Sequence, residues 1–151
     1  MAEANASQSL HLADDAATAD LGRRIATVLV PGDLVLLSGD LGVAKTTLAR
    51  AIIRSLMNNA ALDVPSPSFA LVQPYDGPHG PIVHADLYRL SSEREVDELG
   101  LFERADAIVL VEWPEHAPAL DGAATIWIAL AIPPGGAGRD ARIAFADGRR
   151  L

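Results

Sequence analysis

The sequence predicts an α/β fold of three layers around a mixed, partly parallel β-sheet. Three observations carry this. The apolar run "LVLLSG" passes through a glycine-bearing turn directly into the amphipathic stretch "KTTLARAIIRSLM", the strand, loop and helix unit of α/β domains. Four more apolar runs follow, "FALVQPY", "PIVHADLY", "AIVLVEW" and "TIWIALAI", each of strand length. These later runs come too close together for every connection to hold a full helix, so the sheet must include antiparallel pairs. The 151 residues, half of them hydrophobic, fit one compact core and are too few for two.

Residues 1–9 are small and polar and read as a flexible tail on a single domain spanning 1–151. From about Ala16 to Val30, Leu21, Ile25, Val28 and Leu29 recur at helical spacing with Arg23 and Arg24 opposite. Pro31-Gly32-Asp33 ends that helix. The second helix carries Leu48, Ala51, Ile52 and Leu56 on one side, and "VPSPSF" after it is a proline-stiffened loop. A helical turn is expected near "SEREVDEL", and the Gly/Pro-rich tail closes on a short final strand.

The net charge of −8 argues against a chain that tracks a phosphate backbone by itself, because such binding draws its free energy from clustered Lys and Arg. With no cysteine there is no disulfide, thiolate nucleophile or Cys-built zinc site. No basic-then-apolar leader and no apolar run of membrane-spanning length is visible, so the expectation is a cytoplasmic protein without membrane contact. The chain has eleven arginines and a single lysine, Lys45. Where positive charge is needed elsewhere, arginine supplies it. At this one position stands the compact ammonium that fits between phosphates as a point charge.

Lys45 lies in "GDLGVAKTT", Gly39 to Thr47, which matches the phosphate-binding P-loop pattern Gly-x-x-x-x-Gly-Lys-Thr except for Ala44. Set between a buried strand and a helix, the motif predicts a P-loop NTPase-like site. The backbone of Gly39, Asp40, Leu41, Gly42, Val43 and Ala44 would wrap the phosphates, with Lys45 bridging the outer ones. Thr46 would coordinate Mg2+, and Thr47 follows at the helix start. A second Mg2+ anchor is expected at the end of a neighbouring strand, where "IVLVEW" offers Glu112; the alternative is an edge-strand glutamate facing water. In "HADLYR", His84 and Asp86 share a strand face. They read as a metal pair, as a structural histidine, or as an aspartate that orients the attacking water or stands in the metal shell, and Asp86 is taken as catalytic together with Lys45. Ser66 and Ser68 are either turn hydroxyls or a switch loop ordered by the terminal phosphate. No Asn-Lys-x-Asp guanine reader is present, so ATP is the expected nucleotide.

Taken in order, "GDLGVAKTTLAR", "SPSF", "HADLYRL", "DELG" and "VEWPE" resemble the TsaE family over roughly Asp14 to Ile132. The resemblance implies a P-loop ATPase of tRNA threonylcarbamoyladenosine biosynthesis. It also implies that the chain is a monomer when isolated and works with the TsaB and TsaD proteins, which handle the tRNA. On the matching positions Lys45 is the phosphate ligand, Thr46 and Glu112 are the Mg2+ ligands, and Asp86 is a catalytic or metal-shell carboxylate. Thr18 falls in a stretch near the adenine, and Trp113 packs beside the site.

Ala44 departs from the family pattern. If a positive φ is required there, its methyl costs about 1–2 kcal/mol and would weaken nucleotide binding roughly five- to thirtyfold. Two other readings stay open. One is a nucleotide-binding or assembly module in which Ala44 has impaired hydrolysis. The other is a small-molecule P-loop kinase, for which no long Arg-rich lid insertion is visible.

Overall fold

The computed structural model describes residues 7–40 and 42–151. Its elements run β1 (Ser7–Leu12), α1 (Asp15–Val28), β2 (Leu34–Ser38), α2 (Lys45–Leu56), β3 (Val72–Gly77), β4 (Gly80–Asp86), α3 (Glu95–Glu98), β5 (Ile108–Glu112), β6 (Ile126–Ala131) and β7 (Arg139–Phe145). Two short 3-10 turns, Pro114–His116 and Pro118–Gly122, follow β5.

All seven strands form one sheet in the order β1-β7-β6-β2-β5-β4-β3. Strands β6, β2, β5 and β4 are parallel. The antiparallel pairs lie at the flanks, β1 and β7 on one side and β3 on the other. The mixed sheet follows the sequence expectation, with one correction. Ser7, Gln8 and Ser9 do not belong to a tail but to β1, paired with β7 from Ser7↔Ala144 to Leu12↔Arg139.

Helices α1 and α2 cover one face of the sheet, where Leu21, Ile25, Leu48 and Ile52 pack on Val35, Leu37, Leu110, Ile128 and Ile143. The other face buries Leu34, Leu36, Ala85, Val109 and Val111 beneath Leu87, Val96, Leu101 and Leu120 from α3 and the turns. The two long helices approach closely at Gly22, where an added Cβ would lie 2.5 Å from the Ala51 Cβ. Asp14 starts α1 by accepting a bond from the Ala17 N–H at 2.9 Å, satisfying one of the free donors of the first turn. Among the described residues no helix is long and apolar enough to cross a membrane.

Three distant segments are tied together at Asp33, which is 3% exposed. Its carboxylate accepts from Arg149 at 2.8 Å and 2.9 Å, from the Val30 N–H at 2.7 Å and from the Thr125 hydroxyl at 2.9 Å. Burial pushes the Asp33 carboxyl up, but Arg149, Val30 and Thr125 outweigh it and hold the group below its ordinary range. A carboxyl lowered on folding adds stability that is present above its unfolded value, about 3.9, and is lost as pH falls through the folded value. Arg149→Ala should therefore lower the unfolding free energy by about 2 kcal/mol at neutral pH, toward the lower side for a buried pair because Arg149 is partly solvated. Urea unfolding should also show a weaker loss of stability as pH falls below about 4 in that variant than in the unaltered chain.

Candidate functional site

Parallel strands in register deliver three polar side chains to one end of the sheet. Leu37 of β2 and Asp86 of β4 both align with Glu112 of β5. Because side chains alternate along a strand, His84, Asp86, Leu110 and Glu112 all face α2. Leu37 leads through Ser38 into the turn that begins at Gly39, and α2 starts at Lys45, directly over this end.

The turn itself requires its unusual residues. Gly39 has φ +138°, and a Cβ there would stand 2.4 Å from the Leu130 carbonyl oxygen. Ala44, the residue before α2, is left-handed at φ +76° and ψ +27°, a conformation an L-residue adopts at a cost of about 1–2 kcal/mol. Val43 is buried against the core, so only its backbone faces outward. The Lys45 ammonium donates to the Gly39 and Asp40 carbonyl oxygens and lies 3.6 Å from the centre of the Trp113 ring. Trp113 is also left-handed, at φ +60°, and its indole packs on Tyr88 with ring centres 4.9 Å apart.

The Thr46 hydroxyl donates to Glu112 Oε1 at 2.8 Å, while Glu112 Oε2 is 2.6 Å from His84 Nε2. Glu112 is 2% exposed on a strand between β2 and β4, which removes the reading of an edge-strand glutamate facing water. His84 is occupied by Glu112, and among the described residues no three His, Cys, Asp or Glu side chains group around a metal-sized space. The His84 ring thus contacts Glu112. Asp86 accepts from the Tyr88 N–H at 2.9 Å. Burial pushes its carboxyl up, against the Tyr88 bond, and the Glu112 carboxylate adds to the rise, outweighing His84 and Lys45. Burial likewise pulls the Lys45 ammonium down, although Glu115, Glu112, Asp86 and Asp40 act in the opposite direction.

Together these groups line an open cleft of about 420 Å3, bounded by Gly42, Val43, Ala44, Lys45, Thr46 and Thr47 on one side and Ser66, Ser68, Asp86, Tyr88, Arg89, Glu112 and Trp113 on the other. Ser66 and Ser68 share a hydrogen bond of 2.7 Å. Their loop is fastened to β4, since the Leu71 N–H donates to the Pro67 carbonyl at 2.7 Å and the Leu71 carbonyl accepts from the Asp86 N–H at 2.9 Å. What emerges is a backbone turn, an ammonium, a hydroxyl and two carboxylates aimed into one solvent-open space.

A family model described as "Threonylcarbamoyl adenosine biosynthesis protein TsaE" matches residues 12–135. The chain belongs to the TsaE family. It is 43% identical over 99 residues to the tRNA threonylcarbamoyladenosine biosynthesis protein TsaE of Rickettsia bellii, covering 65% of this chain and 68% of that protein. To the protein of the same name from Streptomyces coelicolor it is 44% identical over 98 residues, 64% of this chain and 66% of the relative. The match thus spans about two thirds of these relatives' lengths. The crystal structure of Bacillus subtilis YdiB superposes with a TM-score of 0.70 at 21% identity, covering 95% of this chain and 88% of that one, which bears on the fold.

In this TsaE-family chain the site residues named from sequence come together with few exceptions. Gly39 and Asp40 reach the cleft through Lys45, and Leu41 lies outside the described residues. Thr18 does not line the cleft. It is 2% exposed, its hydroxyl donates to the Asp14 carbonyl at 3.3 Å, and it borders a separate hollow of about 170 Å3 with Ala44 and Arg139. Sequence reasoning missed several contributors. Arg139 donates to the Gly42 carbonyl at 3.0 Å and props the turn from 97 positions away, a pairing no local pattern signals. Tyr88 and Arg89 stand directly after Asp86 in "HADLYR", and Glu115 closes the stretch "VEWPE" that holds Glu112. Their closeness in sequence was the available clue.

Two outcomes follow from this geometry. Ala44 holds a positive φ in the turn, a conformation that glycine adopts without that strain. Ala44→Gly should raise the unfolding free energy by about 1 kcal/mol in urea titration. For Asp86 the folded value is raised, so its ionisation opposes folding. In metal-free protein Asp86→Asn should be more stable than the unaltered chain at neutral pH, an advantage that vanishes below about pH 4, where the carboxyl is protonated in both folded and unfolded chains.

Proposed function

We propose that the cleft binds ATP with Mg2+ and hydrolyses it, and that this turnover serves the threonylcarbamoyl modification of adenosine in a tRNA anticodon loop, in the cytoplasm, with the TsaB and TsaD proteins as partners. The observation that carries the reading is the 2.8 Å bond between the Thr46 hydroxyl and Glu112, one residue from the only lysine of the chain. A hydroxyl and a carboxylate that close are the hard oxygen pair that binds Mg2+, an ion that prefers one or two protein carboxylates with phosphate and water oxygens over a full protein cage. Thr46 and Glu112 would hold it, with Asp86 in reach of its shell. Bound there, Mg2+ supplies neutralisation of the charge on the outer phosphate oxygens.

The residues of the chain divide the remaining work. Lys45 exchanges the Gly39 and Asp40 carbonyls for phosphate oxygens, and backbone N–H groups at the start of α2 face the same charge. Asp86 accepts a proton from the attacking water as the new P–O bond forms and the bond to the ADP oxygen breaks. Its raised carboxyl is suited to that task. Ser66 and Ser68 give up their mutual bond to meet the terminal phosphate, which makes their loop responsive to nucleotide state. Thr18 and the hollow it shares with Ala44 and Arg139 would flank the base. Phe69, 83% exposed, and Tyr88, 46% exposed, leave apolar surface at the cleft mouth where partner proteins could dock. The acidic chain then leaves tRNA contact to those partners.

Turnover of ATP with TsaB and TsaD present should fall about 10²- to 10⁴-fold in Asp86→Asn, and Glu112→Gln should abolish the Mg2+ requirement together with hydrolysis. No hydrolysis in the unaltered chain, with nucleotide still bound and complex still formed, would favour the assembly-module reading instead. Co-precipitation of the chain with TsaB and TsaD should increase when ATP is added. An interaction indifferent to nucleotide would sever partner binding from the cleft.

A further inference from the structure

One buried polar side chain at the site has no task in the mechanism above. His84 is 0% exposed, and among the described residues its one polar contact is Nε2 to Glu112 Oε2 at 2.6 Å. Its other ring nitrogen, Nδ1, is buried without a hydrogen-bond partner among the described residues. Packing does not explain such a residue, because an aliphatic side chain facing α2 beside Leu110 would fill the space without stranding a nitrogen. The contact to Glu112 does explain it. Asp86, on the same strand face, accepts from the Tyr88 N–H, and it is Glu112 that the ring meets. With Nε2–H donating to the carboxylate, Nδ1 strands a lone pair, which is the less costly of the two ring arrangements.

We infer that His84 is a positioning residue that fixes Glu112 for the divalent cation. The inference rests on the proposed Mg2+ role of Thr46 and Glu112. A carboxylate can rotate about its terminal torsion with little resistance. Here the two oxygens are separately assigned: Oε1 receives the Thr46 hydroxyl and Oε2 the His84 ring. With Thr46 and Glu112 holding a cation, Oε1 would be free to serve as the ligand, while His84 would keep Oε2 and with it the orientation of the whole group. Partners of this kind behind a metal ligand sharpen affinity by restricting the ligand to one pose.

The test is calorimetric binding of a non-hydrolysable ATP analogue over a series of Mg2+ concentrations and in EDTA. His84→Leu should raise the half-saturating Mg2+ concentration about 10- to 100-fold, leaving analogue affinity in EDTA unchanged. His84→Gln, whose amide nitrogen can occupy the Nε2 position, should stay close to the unaltered chain, whereas His84→Asn, with its amide at the Nδ1 distance, should behave like leucine. If the leucine variant fails to fold, the contrast between glutamine and asparagine decides. Nitrogen-15 shifts of the ring in metal-free protein should show the Nε2–H tautomer. Equal Mg2+ dependence in all four proteins, or an Nδ1–H tautomer, would overturn the role of His84 while leaving the proposed function standing. Analogue binding by the unaltered chain that is the same in Mg2+ and EDTA would instead remove the proposed function, and this inference with it.

Discussion

Glu112 carries a carboxylate to a place where 2% of its surface meets solvent, and each of its oxygens is claimed by a different element. Thr46 reaches it from the first turn of α2 and His84 from β4. A buried carboxylate left without such bonds would be costly enough to protonate or distort its surroundings. The contact therefore fixes more than one side chain. It ties the first turn of α2 and the end of β4 to the end of β5.

The turn is constrained in the same way. Gly39 is needed because a neighbouring carbonyl would lie 2.4 Å from any Cβ. Ala44 breaks the pattern yet holds the left-handed conformation the turn demands, at the backbone cost of a non-glycine residue there. Lys45 bonds to the carbonyls of its own turn and lies against Trp113, which keeps an otherwise buried ammonium solvated by dipoles and an aromatic face. Arg139 completes the support from the strand that pairs with β1 and β6. Scaffold contacts from several elements thus hold the turn and its lysine in place.

At the other end of the parallel strands, Asp33 and Arg149 do comparable work for the fold. The carboxylate joins the exit of α1, the start of β2 and the C-terminal segment. That end is fully bonded, with a carboxyl held low, while Asp86 at the cleft is held high. Burial raises both carboxyls, but the bonds from Arg149, Val30 and Thr125 overcome it at Asp33, whereas at Asp86 the Tyr88 bond, His84 and Lys45 do not and Glu112 adds to the rise. Stability is concentrated at one end of the strands and an electrostatically unfavourable, chemically useful arrangement at the other.

Much of this was legible from the residues in order. The strand, turn and helix from Leu34 to Leu56 follow from an apolar run, a glycine turn and a helical repeat, all local signals, and Lys45 and Thr46 come with them. The strands ending in Asp86 and Glu112 were readable as apolar runs with a polar residue at the end. The strand Ser7–Leu12 was not, because Ser-Gln-Ser-Leu-His-Leu alternates weakly and becomes a strand through pairing with β7, at the far end of the chain. Nor could sequence tell whether Glu112 faced water or the core, since that depends on β5 lying between β2 and β4. Residue order thus specified the chemical groups and the local backbone that carries them, through short-range preferences alone. Which groups meet was left to the folded chain: His84 on Glu112, Arg139 on Gly42, and Thr18 kept out of the cleft. Strand order and register settle those meetings, and they are set by packing across the whole sheet and not by neighbours along the chain.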